Sequence, residues 1–274
     1  MRALCLWLLA AAIAASASGS RKSVVREERK VIVIAHRGAG SLAPDNTLAA
    51  IRKAIALGVD YLELDVETTR DGRLICSHDD AVDLGEKGRG VIRQMTADEV
   101  CAVDVGSKFS PEYAGETIPA FEDALALCRG RVRVYVDVKD AAAEDVVRAI
   151  VEQEMRDQVI IHVYRVEQAR DFRRVDPALP VMVSPGQWAR MQGFAAVVVR
   201  ELGSRHLNSH VREWTAGAVE DAHKAGAEVW VDIMGDLENE ADMRRIIAMG
   251  VDGIQTDRPD LLLRVLDRAP KPES

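Results

Sequence analysis

Short apolar, β-branched runs alternate with amphipathic segments along most of the chain. The runs Val31–Ala35, Val59–Val66, Val132–Val138, Val159–Val163, Pro180–Val183, Ser204–Leu207, Glu228–Asp232 and Asp252–Gln255 predict eight strands. Between them apolar residues recur at helical spacing, as in Leu48–Leu57, Ala142–Glu154, Ala216–Lys224 and Glu240–Met249. Near-continuous apolar strands separated by helices imply parallel pairing with both strand faces covered. Leu57-Gly58, Ala225-Gly226 and Met249-Gly250 put glycine where a helix ends before the next strand. The last four strands begin about every 24 residues, the length of one β–loop–α–loop unit, and eight such units predict an α/β fold of the TIM (β/α)8 type. An open doubly wound sheet is the alternative, but no glycine-rich dinucleotide fingerprint follows the first strand.

One connection breaks this rhythm. Between His78 and Pro119 lie about 40 residues, far more than a βα loop requires. The stretch is polar, carries Gly85, Gly88, Gly90 and Gly106, and has a short helical pattern at Thr96–Val103. It reads as a small subdomain, about 80–117, inserted after the second strand and seated over the C-terminal rim of a barrel that spans 30–268.

The first residues stand apart. Met1-Arg2 is a short basic start, Ala3 to Ala15 is almost wholly apolar, and Ala15-Ser16-Ala17 is a small-residue cleavage pattern. That is the layout of a secretory signal peptide over residues 1–20, and the apolar run is too short to span a bilayer. Export to the periplasm or beyond is the expectation, with no stable membrane insertion after the signal is removed. A retained anchor is the competing reading. Cys76, Cys101 and Cys128 follow this segment, an odd number without disulfide or zinc spacing, so stability must come from the core. A net charge of -8 excludes a long track of phosphate-neutralising contacts and hence a nucleic-acid partner.

The chemistry-bearing residues sit at strand ends, where barrel enzymes collect them. His36-Arg37-Gly38 follows the first strand. On the second, Glu63 and Asp65 are two apart and share one face, with Tyr61, while Leu62, Leu64 and Val66 point the other way. Two carboxylates aimed into a barrel mouth repel each other unless a cation sits between them, and a divalent ion with oxygen ligands meets that need. Asp137 and Lys139 repeat the spacing on the third strand. Asp137 can complete a three-carboxylate site, and Lys139 can either face a phosphate oxygen or form a salt bridge inside the barrel. His78-Asp79 follows a tight turn at Asp71-Gly72 and supplies a second imidazole. Two imidazoles, which ordinarily titrate near 6.5, can hold opposite protonation states, so one takes a proton from an attacking oxygen while the other gives one to a leaving oxygen.

Taken together these segments resemble the glycerophosphodiester phosphodiesterase family. The likeness rests on Ala35-His36-Arg37-Gly38, Ala43-Pro44-Asp45-Asn46-Thr47, Leu62-Glu63-Leu64-Asp65-Val66, Thr69-Arg70-Asp71-Gly72 and His78-Asp79. It continues through Ile118-Pro119, Val136-Asp137-Val138-Lys139, Val229-Trp230 and Gly250 to Pro259. The resemblance implies a TIM barrel with an insertion after the second strand, and hydrolysis of small glycerophosphodiesters to sn-glycerol 3-phosphate and an alcohol. It implies His36 and His78 as the acid–base pair, and the mechanism read from these residues takes His78 as base and His36 as acid. It also implies Glu63 and Asp65 as ligands of one Ca2+ or Mg2+ ion, and Arg37 and Lys139 beside the phosphate. Trp230 then packs either against the glycerol moiety or in the core. Three departures from the family pattern stand out. Asp45 replaces a glutamate, Asp137 replaces the glutamate expected as third ligand, and Val231-Asp232-Ile233-Met234 replaces Thr-Val-Asn after the tryptophan. A phospholipase-type phosphodiesterase on the same barrel, a non-catalytic binding protein and a Schiff-base lyase using Lys139 are the rival readings.

Overall fold

The computed structural model describes residues 30–268. The expected signal segment lies outside the described residues. Eight parallel strands close into a barrel: β1 (Ile32–Ala35), β2 (Tyr61–Thr68), β6 (Arg133–Val138), β7 (Val159–Val163), β8 (Val181–Val183), β9 (His206–His210), β10 (Glu228–Asp232) and β11 (Gly253–Thr256). β1 pairs with β11 on one side and with β2 on the other, through Ile34↔Tyr61 and Ala35↔Leu62, which closes the ring. Three further strands, β3 (Leu74–Cys76), β4 (Ala81–Asp83) and β5 (Arg89–Val91), belong to the segment that interrupts the repeat. No helix among the described residues is long and apolar enough to cross a membrane.

Alternation along each strand sorts the side chains into two cores. Outward positions, among them Val33, Leu62, Leu64, Val136, Ile161, Leu207, Val231 and Ile254, pack against the surrounding helices. Inward positions Ile34, Tyr135, Ile160, Met182 and Trp230 fill the lower lumen, with Ile32 and Tyr61 beside them. Trp230 stands so close to Gly253 that a Cβ there would lie 2.9 Å from its ring, so only glycine leaves room for the indole.

The helices begin and end where local chemistry dictates. Leu48–Leu57 starts at Thr47, whose Oγ1 accepts from the Ala50 N–H, and stops at Gly58, whose φ of 75° favours glycine. Ala216–Lys224 and Glu240–Ala248 are capped in the same way by Thr215 and Asn239. At the lower end Arg268 grips Asp60 with two hydrogen bonds, 2.6 and 2.8 Å, and Asp60 also accepts from the Val33 N–H. That clasp ties the last described residue to the start of the barrel.

β2 is longer than β1, so its upper half has no barrel neighbour on that side. β3 folds back antiparallel to fill the gap, pairing Val66↔Cys76, and delivers His78 to the rim. The inserted segment leaves after His78 and returns through an Ile75↔Ala120 bridge. It contains the β4–β5 hairpin and the helix Ala97–Cys101, which opens with a reciprocal Thr96–Glu99 cap. Its own small core joins Val82, Ile92, Ala97, Val100 and Ile118 to Ile75. Tyr113 donates to the Leu42 carbonyl and Arg93 pairs with Asp140, so the segment bridges the loops that follow β1 and β6.

Candidate active site

The upper lumen inverts the chemistry of the lower one. Glu63 and Asp65 on β2 and Asp137 on β6 are all buried, and one oxygen from each lies within 4.8 Å of the others. Glu63 Oε2 accepts from the Arg37 N–H at 2.8 Å, while Oε1 is buried without a hydrogen-bond partner. Burial, then the charges of Asp65 and Asp137, push the Glu63 carboxyl well above its ordinary range. Asp65 is fixed from two sides. Asn46 donates to it at 2.8 Å and accepts from its backbone N–H at 3.1 Å, and Lys139 stands 2.8 Å away. Three buried carboxylates with an orphaned oxygen make a hard, all-oxygen donor set, which fits a divalent cation such as Ca2+ or Mg2+.

Arg37 and Gly38 turn the chain sharply off β1. Arg37 adopts a left-handed conformation (φ 51°), and Gly38 (φ 86°) passes so close to Ala50 that a side chain there would clash. The turn lets Gly38 N–H bond the Glu63 carbonyl and aims the Arg37 guanidinium at Asp45, 3.0 Å, and Asp65, 3.5 Å. The shorter acid at 45 therefore still reaches its arginine.

Each expected proton-transfer residue is braced by an aspartate. His36 Nδ1 lies 2.7 Å from Asp257 Oδ1, and its Nε2 faces Glu63 at 3.9 Å. His78 Nδ1 lies 2.9 Å from Asp79 Oδ1, and the hydrogen bond to His78 lowers the Asp79 carboxyl below its ordinary range. A carboxylate can only accept, so each neutral ring carries its proton on Nδ1 and leaves Nε2 as the atom that exchanges protons in the cavity. Asp79 was foreseeable as a neighbour in sequence; Asp257, on the loop after β11, was not.

Asp137 sits in a tighter collar than its spacing suggested. Lys139 donates to it at 2.7 Å, the Tyr164 hydroxyl at 2.6 Å, and His162 Nδ1 stands 3.2 Å away. Burial alone would raise this carboxyl, but His162 and Lys139 outweigh burial and hold it below its usual range. Burial likewise works against the Lys139 ammonium, and Asp137 and Asp65 overcome it, so Lys139 stays protonated above its ordinary range. His162 and Tyr164 come from β7 and the loop beyond it, and no short-range pattern marked either one.

A cavity of about 550 Å³ is lined by His36, Arg37, Asp65, His78, Asp137 and Lys139 on one side, with Glu63 buried behind Asp65 and Asp137. Ser184, Asn208, His210, Glu213, Asp232 and Gln255 form the far wall. Trp230 is not part of it. Of the two places open to Trp230, against the glycerol moiety or in the core, the structure has the second: the side chain is 1% exposed and packs under Tyr135 and against Tyr61 in the lower plug. On β10 it lies one inward residue below the rim position taken by Asp232. A second hollow of about 390 Å³ lies at the opposite end, around Asp60, Arg131 and Gln158, and no histidine is among the residues that line it.

Comparison with known proteins places this cavity in context. The profile of the glycerophosphoryl diester phosphodiesterase family matches residues 36–261, from the first candidate histidine through the last strand. The chain belongs to that family. It is 31% identical over 254 residues to a glycerophosphodiester phosphodiesterase of Caldanaerobacter subterraneus, covering 86% of this chain and 98% of the relative. Among solved structures, a glycerophosphodiester phosphodiesterase from Agrobacterium tumefaciens superposes with a TM-score of 0.76 at 28% identity, covering 86% of this chain and all of the other. An Oleispira antarctica phosphodiesterase, solved in complex with the product sn-glycerol-3-phosphate, shares the fold with a TM-score of 0.74 at 23% identity, over 86% of this chain and 96% of its own. As a glycerophosphoryl diester phosphodiesterase family member, the chain is an enzyme whose TIM barrel brings Asp65, Asp137 and both rim histidines to one cavity, with Glu63 beside them.

Proposed function

We propose that this chain hydrolyses glycerophosphodiesters, releasing sn-glycerol 3-phosphate and an alcohol, with a divalent cation held by Glu63, Asp65 and Asp137. The observation that carries this reading is a buried carboxylate triad with an orphaned oxygen, facing two histidines that are each oriented by an aspartate. When bound, the cation would supply Lewis-acid stabilisation of the phosphoryl oxygens. Arg37 and Lys139 are the fixed cations of the site and are suited to bind the same oxygens as charge grows on them. Lys139 starts in contact with Asp65 and Asp137, so it is held in place before substrate arrives. His36 and His78 perform the proton transfers through Nε2. One removes a proton from the nucleophile, either water or the substrate's own glycerol 2-hydroxyl, and the other protonates the departing oxygen. Asp257 and Asp79 keep each ring in the required orientation and stabilise its charged form, a positioning role.

We further propose that the enzyme works outside the cytoplasm, on deacylated phospholipid, because residues 1–20 have the layout of a cleavable signal. The test is product release. Mature protein is incubated with glycerophosphocholine, glycerophosphoethanolamine, glycerophosphoglycerol and intact phospholipid, each with calcium, magnesium or chelator. Release of sn-glycerol 3-phosphate from the deacylated substrates supports the reading. Cleavage of intact phospholipid alone would make it a phospholipase-type enzyme, and binding without turnover would make it a carrier.

A further inference from the structure

Outside the carboxylate cluster, Arg37 and the histidine pair, two buried side-chain atoms of the cavity lining have no hydrogen-bond partner among the described residues. They are His162 Nε2 and Asn208 Nδ2. Both side chains are more than nine-tenths buried and line the cavity. Leaving such atoms unpaired is costly, and native proteins rarely do so without reason.

Their chemistry is complementary. His162 Nδ1 faces the acceptor-only Asp137 carboxylate, so the neutral ring carries its proton there and presents a lone pair at Nε2. Asn208 Oδ1 accepts from the Tyr135 hydroxyl at 3.3 Å, which leaves the amide N–H groups free to donate. The two meet on one residue: the His162 ring stands edge-on to the Tyr135 ring, with centroids 5.3 Å apart, and Tyr135 also bonds Asn208. An unpaired acceptor and an unpaired donor beside the same phenol are the counterpart of an alcohol hydroxyl, which donates one hydrogen bond and accepts others.

From this we infer that His162 and Asn208 form a hydroxyl-reading pair that selects the polyol end of the substrate. The inference rests on the proposed glycerophosphodiester activity and adds the residues that tell a glycerol ester from a plain alkyl ester. The His162 contact with Asp137 makes the same ring a link between polyol binding and the acidic cluster. A site built to hydrogen-bond a hydroxyl discriminates strongly against an analogue that lacks it, because its own polar atoms are then left unpaired.

The probes are sn-glycerol 3-phosphate and n-propyl phosphate, which share charge and carbon number but differ in both hydroxyls. Their dissociation constants are measured by calorimetry on the full mature chain in calcium, for wild type, Asn208→Leu and His162→Gln, with thermal melting to confirm folding. The pair predicts that wild type favours glycerol 3-phosphate by at least about tenfold, and that Asn208→Leu cuts this preference by about five- to tenfold, one hydrogen bond's worth. His162→Gln, which keeps a polar tip, retains more of it. A wild-type preference near one, or the same preference in all three proteins, overturns the inference. Hydrolysis with no preference sinks this inference alone, whereas preference without hydrolysis of any glycerophosphodiester sinks the proposed activity and leaves the reader pair standing.

Discussion

The two halves of the barrel lumen are built by the same strands with the same alternation, yet they hold opposite chemistry. Below lie Ile34, Tyr135, Ile160, Met182 and Trp230; above lie His36, Asp65, Asp137 and His162, with Glu63 among the clustered carboxylates. The lower residues gain from leaving water, each large apolar side chain by roughly 1.5–3 kcal/mol. The upper ones lose by it, since buried carboxylates in mutual contact are unfavourable without a compensating charge. The lower plug is therefore where the fold is held together, and the upper layer is where stability is given up for chemistry. Mutations that respect this division should separate activity from stability.

The largest effect expected is on turnover. His36→Ala and His78→Ala should each reduce kcat by about 10²–10⁴-fold, the range for a positioned proton-transfer group. His78 is 44% exposed, so its variant should melt within a degree or two of wild type. Near-normal turnover in either variant, assayed on glycerophosphocholine, would remove the residue from the mechanism. The mirror experiment is Trp230→Ala, which should cost about 3–5 kcal/mol in urea unfolding because it empties the plug beside Gly253. Small destabilisation there would mean that the lower lumen does not carry the fold.

A subtler prediction concerns pH. Burial, with Asp65 and Asp137, holds Glu63 above its ordinary value of 4.5. Its contribution to stability is thus complete below that value and is lost as pH rises through the raised one. In chelator, Glu63→Gln should be more stable than wild type at pH 8, with the gap narrowing toward pH 4. Calcium or magnesium should stabilise wild type and leave the variant unmoved. A wild type that is the more stable protein at pH 8 in chelator would contradict this account of the upper layer. The smallest effect belongs to the lower clasp. Arg268→Ala breaks the bidentate pair with Asp60 and should lower stability by about 1–3 kcal/mol without changing KM, as denaturation and steady-state kinetics can check.

The same division explains what the sequence could disclose. A period of two reveals which face a side chain takes, so Glu63/Asp65 and Asp137/Lys139 were legible as inward pairs, and seven of the eight barrel strands fell close to their apolar runs. β9 was misplaced because its inward residues Asn208 and His210 are polar and end the apolar run early; the strand covers His206–His210 rather than Ser204–Leu207. Periodicity does not reveal height along the barrel. Trp230 faces inward at the level of the plug, so the sequence left its place, substrate pocket or core, open. Asp257, His162 and Asn208 were missed for a different reason. Their partners are 221, 25 and 73 residues away, and only closure of the barrel brings them together.

The account turns on one claim, that the acidic upper layer and its two histidines form a cation-loaded site that cleaves glycerophosphodiesters. Its most direct test follows sn-glycerol 3-phosphate release from glycerophosphocholine by wild type and Glu63→Gln, first in chelator and then as calcium or magnesium is restored. The prediction is no release in chelator, recovery in wild type with the added ion, and little recovery in the variant. Undiminished release in chelator, or full activity of Glu63→Gln, would contradict it.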